Sequence, residues 1–539
     1  MAGLFSSLNI AANALKVNES AISVVSHNVS NMNTEGYSKQ KVNLATRNIA
    51  GTIGDNVSAQ IRANGGVMIA NVMRYSNDYL NNYYRDQLST LKEYEQQLDN
   101  LADLAEVFDD LEGKGIDEAL KGFYEAINNL NQYPASSTAR VNFIEKSKTL
   151  AATLNSKSIQ LDELTVNALG DGKSQELLEN SKIYNYIDSF NDKLEQLAEV
   201  NKALQITQTG TLTANNLLDK RDKLLNEISE YVDINVEEQR NGSVTIFSGD
   251  IPLVEGAIVT GELEIQTAKS YCENQNPPLN YPADWVNADG TAKEAAVISI
   301  VNNEGDTRQV VIGNANDQIR GGNLGGLLHS ADLNADSMNV GRAKESLNNI
   351  AQTLADVMNN LNIRQGAYCI NPDDTTTLVA TDVNNYIFVN DEGSRDGITA
   401  GNIQINADLL AENGEWKIAC AYFDDPNNFD INAVGNAQNA VAMLDSRYAK
   451  QDSLNGMSIE DYYTGLVGKV AAGGNNLQNL VDTQTNVVDS VYNKIKSNNS
   501  VDLNEELVDL VKYQTAYSAS AQVFNVANTC LDTLMTLGR

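Results

Sequence analysis

Residues 1–32 read MAGLFSSLNIAANALKVNESAISVVSHNVSNM, and this stretch decides the fold. Its apolar residues recur at alternating spacings of four and three, which is the heptad pattern of a helix that packs along one seam. The seam has a single polar member, Asn18. The predicted seam residues of this first helix are Leu4, Leu8, Ala11, Leu15, Asn18, Ile22, Val25, Val29 and Met32.

The end of the chain repeats the same pattern. Residues 503–539 read LNEELVDLVKYQTAYSASAQVFNVANTCLDTLMTLGR. At about 1.5 Å per residue, the two seams extend roughly 42 and 48 Å. Helices of matched length at the two ends of the chain predict a coiled coil that brings the termini together. The predicted seam residues of this last helix are Leu503, Leu507, Leu510, Gln514, Tyr517, Ala521, Phe524, Asn528, Leu531 and Met535.

The outer faces of these two helices carry very few charges. Residues 1–34 contain only Lys16 and Glu19, and no formal charge occurs from Tyr513 to Leu531. An ordinary surface helix has a charged outer face opposite its apolar stripe. Two interpretations follow: a moderately polar two-helix hairpin on the side of a globule, or helices whose outer faces also pack against other copies of the chain.

Two segments resemble the end signatures of bacterial flagellar rod, hook and hook-associated proteins. They are residues 26–40, SHNVSNMNTEGYSKQ, and residues 504–517, NEELVDLVKYQTAY. Glu35 and Lys39 stand where this axial protein family often has proline and arginine. The resemblance implies a role for the first signature's Asn28, Asn31, Asn33, Thr34, Gly36 and Tyr37.

Interior segments resemble one group of proteins within this family, those at the first junction between hook and filament. They are residues 66–74 (GVMIANVMR), 123–130 (FYEAINNL) with Pro134 and Arg140, 218–225 (LDKRDKLL) and 321–328 (GGNLGGLL). The similarity covers most of the chain outside 250–320 and 366–430. A hook subunit would lack the long helical bundle, and a flagellin has different terminal sequences.

The chain has 539 residues, too many for one core, and its periodicity changes along its length. Helical spacing predicts helices from residue 77 and at 116–131, 137–164, 175–208, 213–231, 332–362, 432–450 and 465–497. Asn241-Gly242 lies between alternating runs and predicts a β-hairpin. Asp502 with Glu505 predicts a capping box for the last helix, and Gly321–Gly326 predicts a turn before a helix.

These elements predict a multidomain α+β fold of nested layers. The paired terminal helices form the outermost layer, a long-helix bundle lies within it, and β-rich parts are inserted innermost. We expect the stretch 366–430 to be dispensable for assembly. The predicted domains are a terminal coiled coil (1–50 and 498–539), a helical bundle (75–235, 320–365 and 431–497) and inserted β-rich outer parts (236–319 and 366–430).

The charge of the chain is concentrated in its middle. The net charge is −33, with 71 acidic and 38 basic residues. Residues 1–34 sum to zero and residues 500–539 to −3, which leaves −30 for the rest. The negative charge of this middle part repels nucleic acid and anionic lipid. No apolar run approaches the ~20 residues of a membrane span, and no basic region precedes the first helix as in a cleaved signal peptide.

The sequence predicts no catalytic residue, metal site or cofactor. Its two histidines, His27 and His329, lie outside any zinc motif, and the glycines of 321–326 lack a phosphate-binding pattern. The carboxylates lack the spacing of an EF-hand loop. Four cysteines allow three full pairings, and we expect free thiols at Cys272, Cys369, Cys420 and Cys530.

The resemblance implies a structural adaptor between hook and filament that assembles by packing its terminal helices into the axial lattice. Its implied partners are the hook protein, the second junction protein, further copies of the chain and an export chaperone at the C-terminal helix. The implied location is the extracellular flagellum, reached through the flagellar type III channel without a cleaved signal. Two alternatives are a secreted acidic adhesin with an oligomerising coiled coil, and an extracellular hydrolase with convergent carboxylates.

Overall fold

The helices and strands are those of a computed structural model that describes residues 2–46, 66–109, 115–249, 251–274, 296–302, 307–311, 319–333, 335, 337–425 and 430–537. The predicted segment 47–50 of the terminal domain lies outside these ranges. The described helices are α1 Ala2–Asn31, α2 Asp78–Val107, α3 Ile116–Gln132, α4 Ser137–Leu169, α5 Gln175–Glu179, α6 Lys182–Ile206, α7 Leu212–Ser229, α8 Ala268–Asn274, α9 Gly322–His329, α10 Val340–Ile363, α11 Ala407–Leu410, α12 Gln438–Asp445, α13 Ile459–Asn499 and α14 Leu503–Leu537.

The strands in the described ranges form small, separate antiparallel sheets. They are β1 Gln40–Thr46, β2 Val67–Arg74, β3 Asn235–Glu238, β4 Val244–Ser248, β5 Ile251–Glu255, β6 Ile258–Val259, β7 Gly261–Thr267, β8 Ala296–Asn302, β9 Thr307–Val311, β10 Ala367–Asn371, β11 Asp374–Ala380, β12 Phe388–Val389, β13 Gln404–Ile405 and β14 Ala421–Tyr422. The sheet orders are β1-β2, β3-β4-β5-β6, β7-β8-β9, β11-β10-β14 and β12-β13. Long helices with small sheets confirm the predicted multidomain α+β class.

Side-chain caps explain where many of the helices begin. Asn77, Ser136 and Ser181 accept hydrogen bonds from backbone amides in the first turns of α2, α4 and α6. Asn339 and Ser458 do the same for α10 and α13. These residues satisfy amide groups that have no partner inside the helix, which is why serine and asparagine are favoured there.

Two hydrophobic cores hold the body of the protein. The first joins α3, α4, α10, α12 and the N-terminal half of α13 with the C-terminal half of α2 and with residues of the stretch 366–430, such as Phe388. The second joins α6, α7 and α9 with the strands β4, β5, β7 and β8. The two cores therefore each mix elements from the predicted bundle and the predicted β-rich parts, and the domain ranges stay a prediction.

Several of the predicted helix boundaries need correction. The predicted helix 432–450, for instance, is limited to α12, Gln438–Asp445. The glycine-rich stretch Gly321–Gly326 is not a turn, because helix α9 begins at Gly322 and a separate helix α10 follows from Val340. A Cβ at Gly326 would lie 2.7 Å from Gln96 Cβ, so these glycines let α9 lie directly against α2. The predicted helix 175–208 is broken at Asn180-Ser181, where Ser181 caps α6. Helix α13 begins at Ile459, earlier than predicted.

The stretch 366–430 is less separate than the sequence suggests. Its residues Phe388, Ile403 and Ile418 are fully buried in the first core, beside α3 and α4. The buried guanidinium of Arg140 in α4 donates to the carbonyl of Ile418 at 2.7 Å. Deleting the whole stretch would open a cavity in the core, and this argues against the expectation that it is dispensable.

Candidate assembly interface

Helix α1 lies along α14, as the heptad pattern predicts. The predicted seam residues Ala11, Asn18 and Val25 are buried, whereas Met32 is exposed. Val17, Ala21 and Val24 are also buried, so the contact face of α1 lies between the predicted seam and the positions one residue before it. The remaining members of this seam are half-buried: Leu4, Leu8, Leu15, Ile22 and Val29.

The contact face of α14 is displaced by one residue from the predicted seam. Glu506, Tyr513 and Ala527 are its buried residues, each one position before a predicted member. A spacing of four and three fits either of two adjacent stripes, and Tyr513 has more apolar surface to bury than Gln514. Leu510, Ala521, Phe524 and Leu531 are half-buried. The predicted members exposed in the single chain are Leu503, Leu507, Gln514, Tyr517, Asn528 and Met535.

The two end signatures meet at the buried side chain of Asn28. Its amide nitrogen donates to the backbone oxygen of Gln40 at 2.8 Å and to the carboxylate of Glu506 at 3.0 Å. Its amide oxygen accepts from the hydroxyl of Tyr37 at 2.7 Å and from the backbone nitrogen of Gln40 at 3.0 Å. Asn28 therefore ties α1, the turn after it, β1 and α14 together.

Lys39 adds an ionic contact between the two signatures. Its ammonium lies 2.5 Å from the carboxylate of Glu505 and 3.5 Å from that of Glu506. Burial alone lowers the pKa of Lys39, but the two carboxylates outweigh burial and raise it. Because Glu505 points to Lys39, it does not complete the predicted capping box. Asp502 caps α14 alone, accepting from the amides of Asn504 and Glu505.

The turn after α1 holds the other signature residues. Gly36 has a φ of 77°, a left-handed conformation that favours glycine. The ring of His27 lies within 2.9 Å of the Tyr37 hydroxyl, and burial together with Asp219 and Glu506 raises the pKa of Tyr37. Asn31 donates to the backbone oxygen of His27. Asn33 and Thr34 are exposed.

A buried ionic cluster lies next to this joint. Its members are not among the predicted site residues. Arg74 at the end of β2 lies 2.7 Å from Asp219 and 2.6 Å from Asp222, both in α7. Arg85 and Arg221 also contact Asp222, at 3.3 and 2.8 Å. Burial would raise the pKa of Asp222, but these three guanidiniums outweigh burial and hold the pKa well below its usual range.

A cleft of about 310 Å³ opens beside the signature turn, between that turn, α2, α7 and α13. Within the described ranges, no group of three histidine, cysteine or acidic side chains could hold a metal ion. Nor does any helix in the part of the chain that is described have the length and hydropathy to cross a membrane. The four cysteines are free thiols; three are buried, and Cys530 is exposed.

Replacing Asn28 by alanine tests the joint directly. In the assembled form, we expect exchange of the backbone amides in β1 and in the first turns of α14 to become faster. The reason is that four hydrogen bonds are lost and buried groups such as the Gln40 amide keep no partner, at about 1–3 kcal/mol for each unsatisfied group. Asn31→Ala is the matched control, because it removes two local bonds, one to the His27 carbonyl and one from the Thr34 hydroxyl, and none to β1 or α14. Equal exchange in both variants would contradict a joint built on Asn28.

Comparisons with known proteins find matches along the chain. Residues 8–37 match the family model "Flagella basal body rod protein", and residues 497–537 match "Flagellar basal body rod FlgEFG protein C-terminal". The two segments that meet at Asn28 and Glu506 are thus those of the class of flagellar axial proteins. Residues 101–368 match the model "Flagellar hook-associated protein FlgK helical domain".

Relatives match over nearly the full length. Flagellar hook-associated protein 1 of Bacillus subtilis is 24% identical over 541 residues, which cover 99% of this chain and 98% of the relative. The protein of the same name from Salmonella typhimurium is 22% identical, with 98% and 99% covered. The solved flagellar hook junction protein FlgK from Burkholderia pseudomallei aligns with a TM-score of 0.53 and 14% identity, over 78% of this chain and all of that one. The chain belongs to the family of flagellar hook-associated protein 1.

Proposed function

We propose that this chain is a structural adaptor that joins the bacterial flagellar hook to the filament. The observation that carries the proposal is the joint at which both terminal signatures meet, with α1 and α14 presented as one paired unit. Family membership favours this role over a secreted adhesin. Assembly would proceed by packing the paired helices of many copies into the axial lattice.

The exposed side of the helix pair has the composition of an interface. Val508, Val511 and Val526 of α14 are more than half exposed although they are apolar. From Tyr513 to Leu531 no formal charge interrupts this face, and desolvating that part on assembly would therefore be favourable. The predicted seam residues that are exposed in the single chain, such as Leu507, belong to the same face and stay our prediction for contacts between copies.

The partners of the assembled form are proposed by analogy with the family. One end of the layer would contact the hook protein, and the other end would contact the second junction protein. An export chaperone would hold the C-terminal helix before assembly, and the chain would leave the cell through the flagellar type III channel without a cleaved signal. We propose no catalytic role. Of the charged residues that line the cleft at the joint, Arg74 and Asp222 belong to the buried ionic cluster.

Two aspartates on α14 would test the proposal. We expect Val508→Asp with Val511→Asp to leave the fold of the single chain intact, since both side chains are exposed, at 67% and 61%. Burying two carboxylates between copies is strongly unfavourable, so cells carrying this variant should make hooks without filaments. Electron microscopy of the cells, after circular dichroism of the purified variant, measures this.

Ile159→Asp serves as the matched control, because Ile159 is 55% exposed and lies in α4, which packs against α3 and α10. Its cells should carry filaments of normal length. Normal filaments on cells with the α14 variant would overturn the packing proposal. Normal filaments on cells that lack the protein altogether would overturn the junction role itself.

A further inference from the structure

The cleft beside the signature turn lies at one end of the paired terminal helices. Met32 directly follows α1 and Val501 lies just before α14, and both line the cleft. The rings of Tyr84 in α2 and Tyr492 in α13, with centroids 5.9 Å apart, form another part of its wall. At about 310 Å³, the cleft reaches the volume of pockets that enclose whole ligands. It can therefore receive side chains of another molecule at the joint end of the helix pair.

The lining of the cleft combines apolar side chains with hydrogen-bond donors. Besides members of the buried ionic cluster, its charged residues are Glu35, Lys223 and Lys496. Lys223 also lies 3.9 Å from Glu227, and Lys496 is exposed in the last turn of α13. The side chains with amide groups are Asn33, Asn81, Asn226 and Asn499, and the apolar ones are Met32, Ile495 and Val501. The cleft therefore suits a segment with apolar side chains and hydrogen-bond acceptors.

The free end of the helix pair, opposite the joint, exposes apolar side chains. Helices α1 and α14 run antiparallel, because Asn28 near the end of α1 contacts Glu506 near the start of α14. The free end thus consists of the start of α1 and the end of α14. Phe5, Leu534 and Met535 lie there and are 52%, 43% and 73% exposed.

The charge of the free end is complementary to the lysines of the cleft. Asp532 is the only formal charge between Tyr513 and Leu537. The last four backbone carbonyls of a helix have no partner inside the helix, and they give its C-terminus a partial negative charge. A lysine beside a helix C-terminus is stabilising, and Lys496 lies in the cleft to supply it.

We propose that this cleft receives the C-terminal end of the last helix of a neighbouring axial protein. The inference rests on the proposed function, because the axial lattice brings the free end of one helix pair to the joint end of the next. The family match of residues 497–537 includes the end of α14, so proteins of the axial class carry an equivalent helix end. The contact is heterologous, with the cleft on one subunit and the helix end on the other, and such a contact can repeat along a helical lattice.

Photocrosslinking in assembled hooks with filaments tests this contact. Met32, which is 41% exposed, is replaced by the photoreactive amino acid p-benzoylphenylalanine. We expect mass spectrometry of the crosslinked product to identify a peptide from the last turns of the C-terminal helix of an axial protein. The same probe at Tyr133 is the control, because Tyr133 is 60% exposed but lies at the end of α3, outside the cleft. It should capture no such peptide.

A matched pair of lysine variants tests the charge of the cleft. Lys496→Glu should lower the yield of the Met32 crosslink about fivefold, because a glutamate repels the negative end of a helix. Lys494→Glu makes the same charge change at an exposed residue of α13 that does not line the cleft, and it should leave the yield unchanged. Equal yields in the two variants would overturn the charge complementarity on which the proposal depends.

A second probe position separates this inference from the junction role. Asn33 also lines the cleft and is exposed, so it replaces Met32 if the first probe stops filament growth. Filaments whose crosslinks come from another segment, or that give no crosslink at either position, would refute the cleft contact and leave the junction role standing. The junction role itself fails only if cells that lack the protein still carry normal filaments.

Discussion

Replacing Asp222 by asparagine is expected to lower the local free energy of unfolding around α7 by about 3–5 kcal/mol, the usual effect of removing one partner of a buried ion pair. The carboxylate of Asp222 is contacted by the guanidiniums of Arg74, Arg85 and Arg221. With Asp219 and Glu238, the cluster contains three positive and three negative groups. The Asp222→Asn variant would leave one uncompensated positive charge buried next to the terminal joint.

Hydrogen exchange in α7 as a function of urea measures this change, because exchange reports the free energy of local opening. Glu238→Gln is the matched control. It removes a carboxylate from Arg221 in the same cluster, but the Glu238 side chain is 39% exposed, and solvent weakens such a pair to about 1 kcal/mol or less. Equal effects of the two substitutions would show that burial of Asp222 does not decide the stability of the cluster.

The carboxyl group of Asp222 also makes the stability of the folded chain depend on pH. In the folded chain the pKa of Asp222 lies below its value in the unfolded chain, which is about 3.9. The ionised Asp222 therefore stabilises the folded chain, and this stabilisation is fully present above about pH 3.9. This contribution is lost as the pH falls through the lower pKa of the folded state. The difference between wild type and Asp222→Asn should therefore be constant from pH 7 to pH 5 and shrink below about pH 4. The contribution of Asp219 to stability depends on pH with the opposite sign, because burial raises the pKa of Asp219.

The sequence predicted the terminal pair because heptad spacing is a strong signal over thirty residues. It did not determine the register of α14, since adjacent stripes fit the same spacing and only the tertiary contacts of Glu506 and Tyr513 distinguish them. The signature segments are identified by their resemblance to a protein family. That resemblance does not predict the contacts among Asn28, Gln40 and Glu506, because these residues come from distant parts of the chain.

The body of the fold shows where periodicity fails. Gly322–His329 reads as a loop because it contains three glycines, yet it is helical. Close packing against α2 outweighs the weak helix propensity of glycine there. The stretch 366–430 reads as an inserted part because it is rich in turns. Apolar residues of this stretch, such as Phe388, pack into the helical core, and local patterns contain no information on such long-range contacts.

The backbone amides of α1 and α14 are expected to exchange rapidly in the isolated chain and slowly in the assembled junction. Isolated helices are marginal in water, because the first turn is unfavourable to form. Ordering each residue costs about 1–2 kcal/mol in backbone entropy. Burying a large apolar side chain contributes only about 1.5–3 kcal/mol. In α14, which has 35 residues, Tyr513 is the one large apolar side chain buried among those the structure describes.

Neighbouring copies would cover the missing area, since Val508, Val511 and Val526 are available on the exposed face. Hydrogen exchange with mass spectrometry, on the single chain and on assembled material, measures the difference across residues 8–30 and 507–535. Helix α3 is the internal control: its Phe123, Ile127 and Leu130 are fully buried, so its amides should be protected in both states. Strong protection of the terminal helices in the single chain at micromolar concentration would favour a self-contained hairpin, in which intrachain contacts alone stabilise the pair.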